Sequence, residues 1–390
     1  MACVATRVVA CVLALLGAGV VAGCAGSPVP APGPPAPALA PATGTDRLAG
    51  VCPSTVVIQD LWEPGADQAA WYQLVGPDPT VDVARKRVVG PLVAGGKDTG
   101  VKIEIRSGGA AIGFVTAPAQ MYLDRSITLG AAHTDQLIST SASQPVTAVF
   151  ALMTKSPHML MWDPASHPDW RGIADIGRSN AKVVVAKDNI FPALLVAKGL
   201  IKPDQVDAGY TGAPARFVAD PTIAQQGYAT NEPYIYEHEV PAWDKPVRYQ
   251  LLADVGYDIY PQALGVRTGD LEQLAPCLTR LVPILQRAQR DFITDPGPTN
   301  KFIVDTVARF NDGWTYSAGV ADHAVAVMKR LKLVANDSSG ALGGMDPRRI
   351  QASIDTLGPI LANSGAKVKQ GLRADDIATN RFIDPRLRLN

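Results

Sequence analysis

The chain has 390 residues, and its 36 basic side chains balance its 36 acidic ones, so the formal charge is zero at neutral pH. A surface with no net positive charge and no basic run argues against a nucleic-acid partner, and the cysteines and histidines show no CxxC or HxxxH spacing, so neither a metal site nor a cofactor is expected. A chain of this length exceeds what one core usually supports, so two lobes are expected.

Arg7 gives the start of the chain a positive charge, and residues 8–21 are an apolar run too short to span a bilayer comfortably. Val21, Ala22, Gly23 and Cys24 follow, and this junction resembles a bacterial lipobox. The resemblance implies cleavage before Cys24, acylation of its thiol and amino terminus, and an extracytoplasmic chain lipid-anchored to the bacterial cell membrane. An ordinary secretory signal with a chance cysteine is the other reading. The leader would be residues 1–23, and its removal leaves 367 residues with 35 basic and 36 acidic side chains, because Arg7 is the only charge removed.

Residues 24–50 read as a lipid-anchored linker. Pro at 28, 30, 32, 34, 35, 37 and 41 favours extended polyproline II at about 3 Å per residue, which would hold the domain off the membrane. No later stretch is long and apolar enough to span a bilayer. Of the five cysteines, Cys24, Cys52 and Cys277 survive processing. In an exported chain Cys52 and Cys277 favour a disulfide, with two buried free thiols as the alternative.

Residues 56–58 form a first buried strand, and residues 66–75 read as the following helix. Val101, Ile103 and Ile105 alternate with charged residues in a strand ending at Gly108 and Gly109. Residues 114–123 read as a helix, 127–131 as a strand, 134–140 as a helix and 146–153 as a strand. This βα series recurs beyond residue 157, with strands at 183–186 and 227–230 and helices at 168–177 and 192–199. From Asp270 helices follow one another: Asp270 and Gln273 suggest a capping box for a helix over 271–292, and residues 299–310, 320–333 and 347–361 read as further helices. The fold class is α/β: two lobes, each a mainly parallel sheet flanked by helices, with returning C-terminal helices. Lobe 1 would comprise 51–153 and 262–390, lobe 2 would comprise 154–261, and ligand would lie between them.

Five stretches, in order, resemble ABC-transporter substrate-binding proteins of the thiamine-pyrimidine-precursor, sulfonate and nitrate type. They are the run Trp62-Glu63-Pro64-Gly65-Ala66-Asp67-Gln68-Ala69-Ala70-Trp71-Tyr72, the glycine loop at Ser107, Gly108 and Gly109, the crossover at 145–161, the Thr230-Asn231-Glu232-Pro233 turn, and Thr379-Asn380-Arg381-Phe382. The resemblance implies a periplasmic-binding-protein type II fold, a monomer, that captures a small polar or aromatic molecule and delivers it to an ABC-importer permease. It points to Trp62, Tyr72, Gly108, Gly109, Asn231 and Glu232 as ligand-binding positions. The residues leave alternatives open: Trp62 could pack in the core, the glycines could merely turn the chain, and Glu232 could cap a helix opening at Pro233. Gln68 stands where the pyrimidine branch carries His, and Gly65 where it carries Asn, which leaves sulfonate, nitrate-like and other aromatic ligands open. A fungal pyrimidine synthase of this fold uses that histidine and a cysteine-rich stretch; this chain has neither, so an enzyme is not expected. The remaining alternatives are a lipoprotein ligand sensor of the same fold and an exported enzyme. There is no GxSxG elbow, and Glu237, His238 and Glu239 read as a solvated helix face.

Overall fold

The computed structural model describes residues 38–187 and 189–389. The leader and Cys24 lie outside the described residues. Of the stretch assigned to the linker, residues 41–50 pack on the domain: the Ala42 N–H donates to the Asp98 carbonyl, and Leu48 is fully buried. The packed domain therefore begins by Pro41, since Ala42 and Leu48 remove apolar surface from water and a solvated tether would not.

The chain opens with strands Thr55–Gln59 (β1), Thr80–Asp82 (β2), Arg87–Ala94 (β3), Lys97–Arg106 (β4), Leu129–Ala132 (β5) and Val146–Ala151 (β6). It then crosses to a second sheet built from His158–Trp162 (β7), Val183–Val184 (β8), Val206–Asp207 (β9), Ala224–Tyr228 (β10) and Arg248–Leu251 (β11). A second crossover returns it to the first sheet as Ala263–Arg267 (β12). The strand orders are β2-β3-β4-β1-β5-β12-β6 and β11-β7-β10-β8-β9.

Both sheets are mixed, which corrects the expectation of mainly parallel ones. In the first, only β1 pairs in parallel, with β4 and β5; in the second, β8 pairs in parallel with β10 and β9, while β7 is antiparallel to β10 and β11. Two features cause this. The chain re-enters the first sheet from the other lobe, so β12 runs against β5 and β6, and β2-β3-β4 is an antiparallel meander. The meander was missed although Gly95 and Gly96, both at positive φ between alternating strands, carry a two-residue hairpin signal. Pro91 sits where the β3–β4 register shifts, which accommodates its missing N–H.

The expected helix over 66–75 is shorter. A 3-10 turn at Ala66–Gln68 leads into Ala69–Tyr72, after which Val75 bridges to Leu92. The helix Leu271–Thr294 runs through Pro276 and Pro283; the carbonyls these prolines leave unpaired belong to Glu272 and Thr279, on its exposed face. Asp270 does not cap it. Its carboxylate is taken by Arg267, so no capping box forms. Helices Gly297–Phe310, Ala318–Arg330 and Pro347–Asn363 follow, and Cys52 is joined to Cys277 inside the long helix.

Candidate functional site

Beyond β1 the chain enters a buried polar turn. Asp60 accepts the Leu61 N–H at 2.7 Å and the Trp71 indole N–H at 3.0 Å, and its burial pushes the carboxyl up to about 8. The Gly108 N–H donates to the Trp62 carbonyl at 2.9 Å, and the Gly109 N–H to the Leu61 carbonyl at 3.0 Å. These peptide groups are therefore consumed within the protein and do not face a ligand. A Cβ on Gly108 would lie 2.2 Å from the Leu61 carbonyl carbon, so only glycine permits the contact. Gly108→Ala is expected to force the loop away from residues 61–62 and cost about 1–3 kcal/mol, read as a lowered urea midpoint; an unchanged midpoint would contradict this packing.

Trp62 is half-buried, its ring 6.0 Å from Phe114 and 6.2 Å edge-on from Trp314. Phe114 is 59% exposed and sits at φ 60°, outside the helix Ala117–Leu123 that was expected to begin with it. These rings form an aromatic lip on the first lobe. Glu63 lies beside it, pushed up to about 7 by burial and by Asp312, with one carboxylate oxygen unpartnered. Tyr72 is placed in the core against Phe302.

The two lobes meet at Asp67. The Thr230 hydroxyl, on the second lobe, donates to Asp67 Oδ2 at 3.0 Å, while buried Asp67 Oδ1 has no partner. Burial and the neighbouring Glu232 push Asp67 up to about 7. Glu232 opens the helix Glu232–His238 ahead of Pro233, yet its carboxylate turns back to accept the Tyr228 N–H at 2.6 Å and the Tyr210 hydroxyl at 3.2 Å. Its pKa is raised, chiefly by burial. Asn231 is half-buried, does not cap that helix, and leaves Oδ1 unpartnered.

Tyr228 joins these groups. Its hydroxyl lies in the fields of Asp67, Glu232 and Asp135, and its ring stacks on His158 with centroids 4.7 Å apart. Asp135 accepts from the Tyr257 hydroxyl, and His133 Nδ1 accepts the Gln262 N–H at 3.2 Å; both contacts tie the first lobe to the returning crossover. Burial, reinforced by His133, holds His158 down to about 3, so its imidazole is neutral, and its Nε2 has no partner. Gln68 Oε1 and Gln262 Oε1 are also buried and unpartnered. Buried polar atoms almost always find partners, so the free ones at Asp67, Gln68, His158, Asn231 and Gln262 are candidate positions for bonding a ligand.

Several solved structures share this architecture. The alkanesulfonate-binding protein SsuA of Xanthomonas axonopodis, bound to MOPS, superposes with a TM-score of 0.54 at 14% identity, over 84% of this chain and 99% of that one. A protein of Bordetella bronchiseptica gives 0.52 at 14% identity, over 85% and 96%. The ligand-binding component of an ABC-type import system of Staphylococcus aureus, with zinc bound, gives 0.50 at 12% identity, over 84% and 97%. The chain has the two-lobed periplasmic-binding-protein fold. No protein-family model and no curated protein matches it.

The sequence-derived positions divide around the interlobe joint. Asn231 and Glu232 reach the joint, Trp62 stands on the lip, Gly108 and Gly109 shape the loop beneath Trp62, and Tyr72 lies behind in the core. Asp67, Asp135, His158 and Tyr228 were not singled out. Asp67 carried a signal, being an acid amid the small and apolar residues of the 62–72 run, but only the cross-lobe contact gives it a role.

Proposed function

We propose that this chain is an extracytoplasmic solute-binding lipoprotein that captures a small molecule between its lobes and delivers it to an ABC-importer permease, tethered through acylated Cys24. The supporting observation is the Asp67–Thr230 contact, which holds the lobes together around buried acceptors that have no protein partner. The shared fold with ligand-binding components of importers supports capture rather than catalysis. Among the described residues no helix is long and apolar enough to cross a membrane.

Lobe closure gives the test. Gently purified protein is expected to release a bound small molecule under denaturing mass spectrometry, and stripping that molecule should enlarge the radius of gyration in solution scattering. At about 100 times its dissociation constant the same molecule should restore about 2.7 kcal/mol of stability. Protein that retains nothing and is stabilised by no compound in a broad solute panel would overturn capture. In the producing bacterium, Cys24→Ala should move the protein from the detergent phase to the aqueous phase; equal partitioning would remove the anchor.

A further inference from the structure

Resting on the solute-capture reading, the interlobe joint also specifies the charge of what is captured. Three carboxylates converge there: Asp67 from the first lobe's opening run, Asp135 from the helix after β5, and Glu232 from the second lobe. Among the buried atoms beside them without a partner are the acceptors Asp67 Oδ1, Gln68 Oε1, Asn231 Oδ1 and Gln262 Oε1. His158 Nε2 is unpartnered too, on an imidazole that is neutral at physiological pH. Among the described residues, no cation is among the leading charges acting on Asp67, Glu232 or the Tyr228 hydroxyl.

A sulfonate or nitrate placed at this joint would face carboxylates and carbonyl-type oxygens with no guanidinium or ammonium to receive it, and like charges at low dielectric repel strongly. A ligand carrying positive charge and several N–H donors meets these carboxylates and amide oxygens favourably. We infer that the interlobe joint takes an organic cation, a primary amine or guanidinium compound, whose N–H donors bond Asp67 Oδ1 beside the Glu232 and Asp135 carboxylates. The alkanesulfonate-binding neighbour shares the fold but would then differ in the sign of its ligand.

Proton linkage distinguishes the two signs. Asp67 is faced by Glu232 and Tyr228 of the second lobe and by Tyr316 on its own lobe; His133, His158, Asp135 and Tyr257 line the adjoining stretch. Because Asp67 is half-protonated near pH 7, a cation binds with proton release and binds more tightly as pH rises. An anion would bind with proton uptake and more tightly as pH falls.

The experiment is calorimetric titration of the full mature domain, stripped of retained ligand, at several pH values and in two buffers of different ionisation enthalpy. Agmatine and a set of alkylamines and alkylguanidines serve as cationic probes, and ethanesulfonate and nitrate as anionic ones. Cation binding with proton release is expected, and Asp67→Asn should weaken it about ten- to a hundredfold, the worth of one charge-assisted hydrogen bond, and flatten its pH dependence. The apo melt of Asp67→Asn checks its fold, and Thr230→Val serves as a second variant that perturbs the joint without removing charge. Binding of ethanesulfonate or nitrate with no cation bound would overturn the inference and leave solute capture standing. Failure of every cation in a folded protein, or unchanged cation affinity in Asp67→Asn, would also overturn it. Failure of both probe sets together with no retained small molecule would bring down capture itself.

Discussion

Removing the Cys52–Cys277 bond is expected to lower stability by up to about 5 kcal/mol, because it closes a loop spanning 225 positions and such a loop restricts the unfolded chain strongly. Cys277 is buried in the long helix Leu271–Thr294, and the bond holds the segment before β1 against it. Arg287 with Asp46 and Arg280 with the Arg47 carbonyl hold the same segment, but these contacts are partly exposed and each contributes little. They keep the segment near its place in the reduced protein, so the loss lies mainly in the unfolded state. Urea melts of Cys52→Ser with Cys277→Ser, against the oxidised wild type, measure the loss. A midpoint unchanged by the double substitution, with wild-type thiols shown to be bridged, would contradict it.

The ligand-free protein is expected to lose about 2–4 kcal/mol of stability between about pH 6.5 and pH 8.5, opposite to what ion-paired carboxylates produce. Burial pushes Asp60 up to about 8, and Glu63 and Asp67 each to about 7. Each therefore binds its proton more tightly folded than unfolded, so its contribution is fully present below the ordinary carboxylate range and lost as pH rises through the folded value. Histidines act in the other direction. His158 is held down to about 3, and His133 and His323 are lowered by burial, so each favours unfolding as pH falls below the ordinary imidazole value. Below about pH 6.5 the two sets offset one another; above it only the acids titrate, and stability falls. Asp60→Asn should remove the steepest part of that fall. Denaturation at a series of pH values tests this, and stability rising through this window would refute the buried-acid assignment.

The same acids explain why the site was only partly legible in the sequence. Trp62 and Tyr72 belong to one motif and were given one role, yet they separate at once: Trp62 stands on the lip and Tyr72 turns into the core, because the short helix Ala69–Tyr72 buries all four of its side chains. Gly108 and Gly109 were read as ligand-binding positions or as a simple turn. They instead allow two backbone segments to touch, which a Gly-Gly pair cannot disclose without knowledge of what lies opposite. Glu232 reaches the joint, but through a backward turn onto Tyr228 that no helical periodicity contains.

The strands at 56–58 and 101–105, a strand opening at 146, the helical C-terminal third and the placement of Asn231 and Glu232 at a strand-to-helix turn were all readable, because each rests on hydrophobic period or turn chemistry within a few residues. The antiparallel entry of β12 and the meeting of Asp67 with Thr230 were settled only by tertiary structure. The reason is physical. Apolar period is a local consequence of which face a residue turns to the core, whereas strand direction and the partnering of a buried carboxylate depend on chain brought in from more than a hundred residues away, here 163 positions from Asp67 to Thr230.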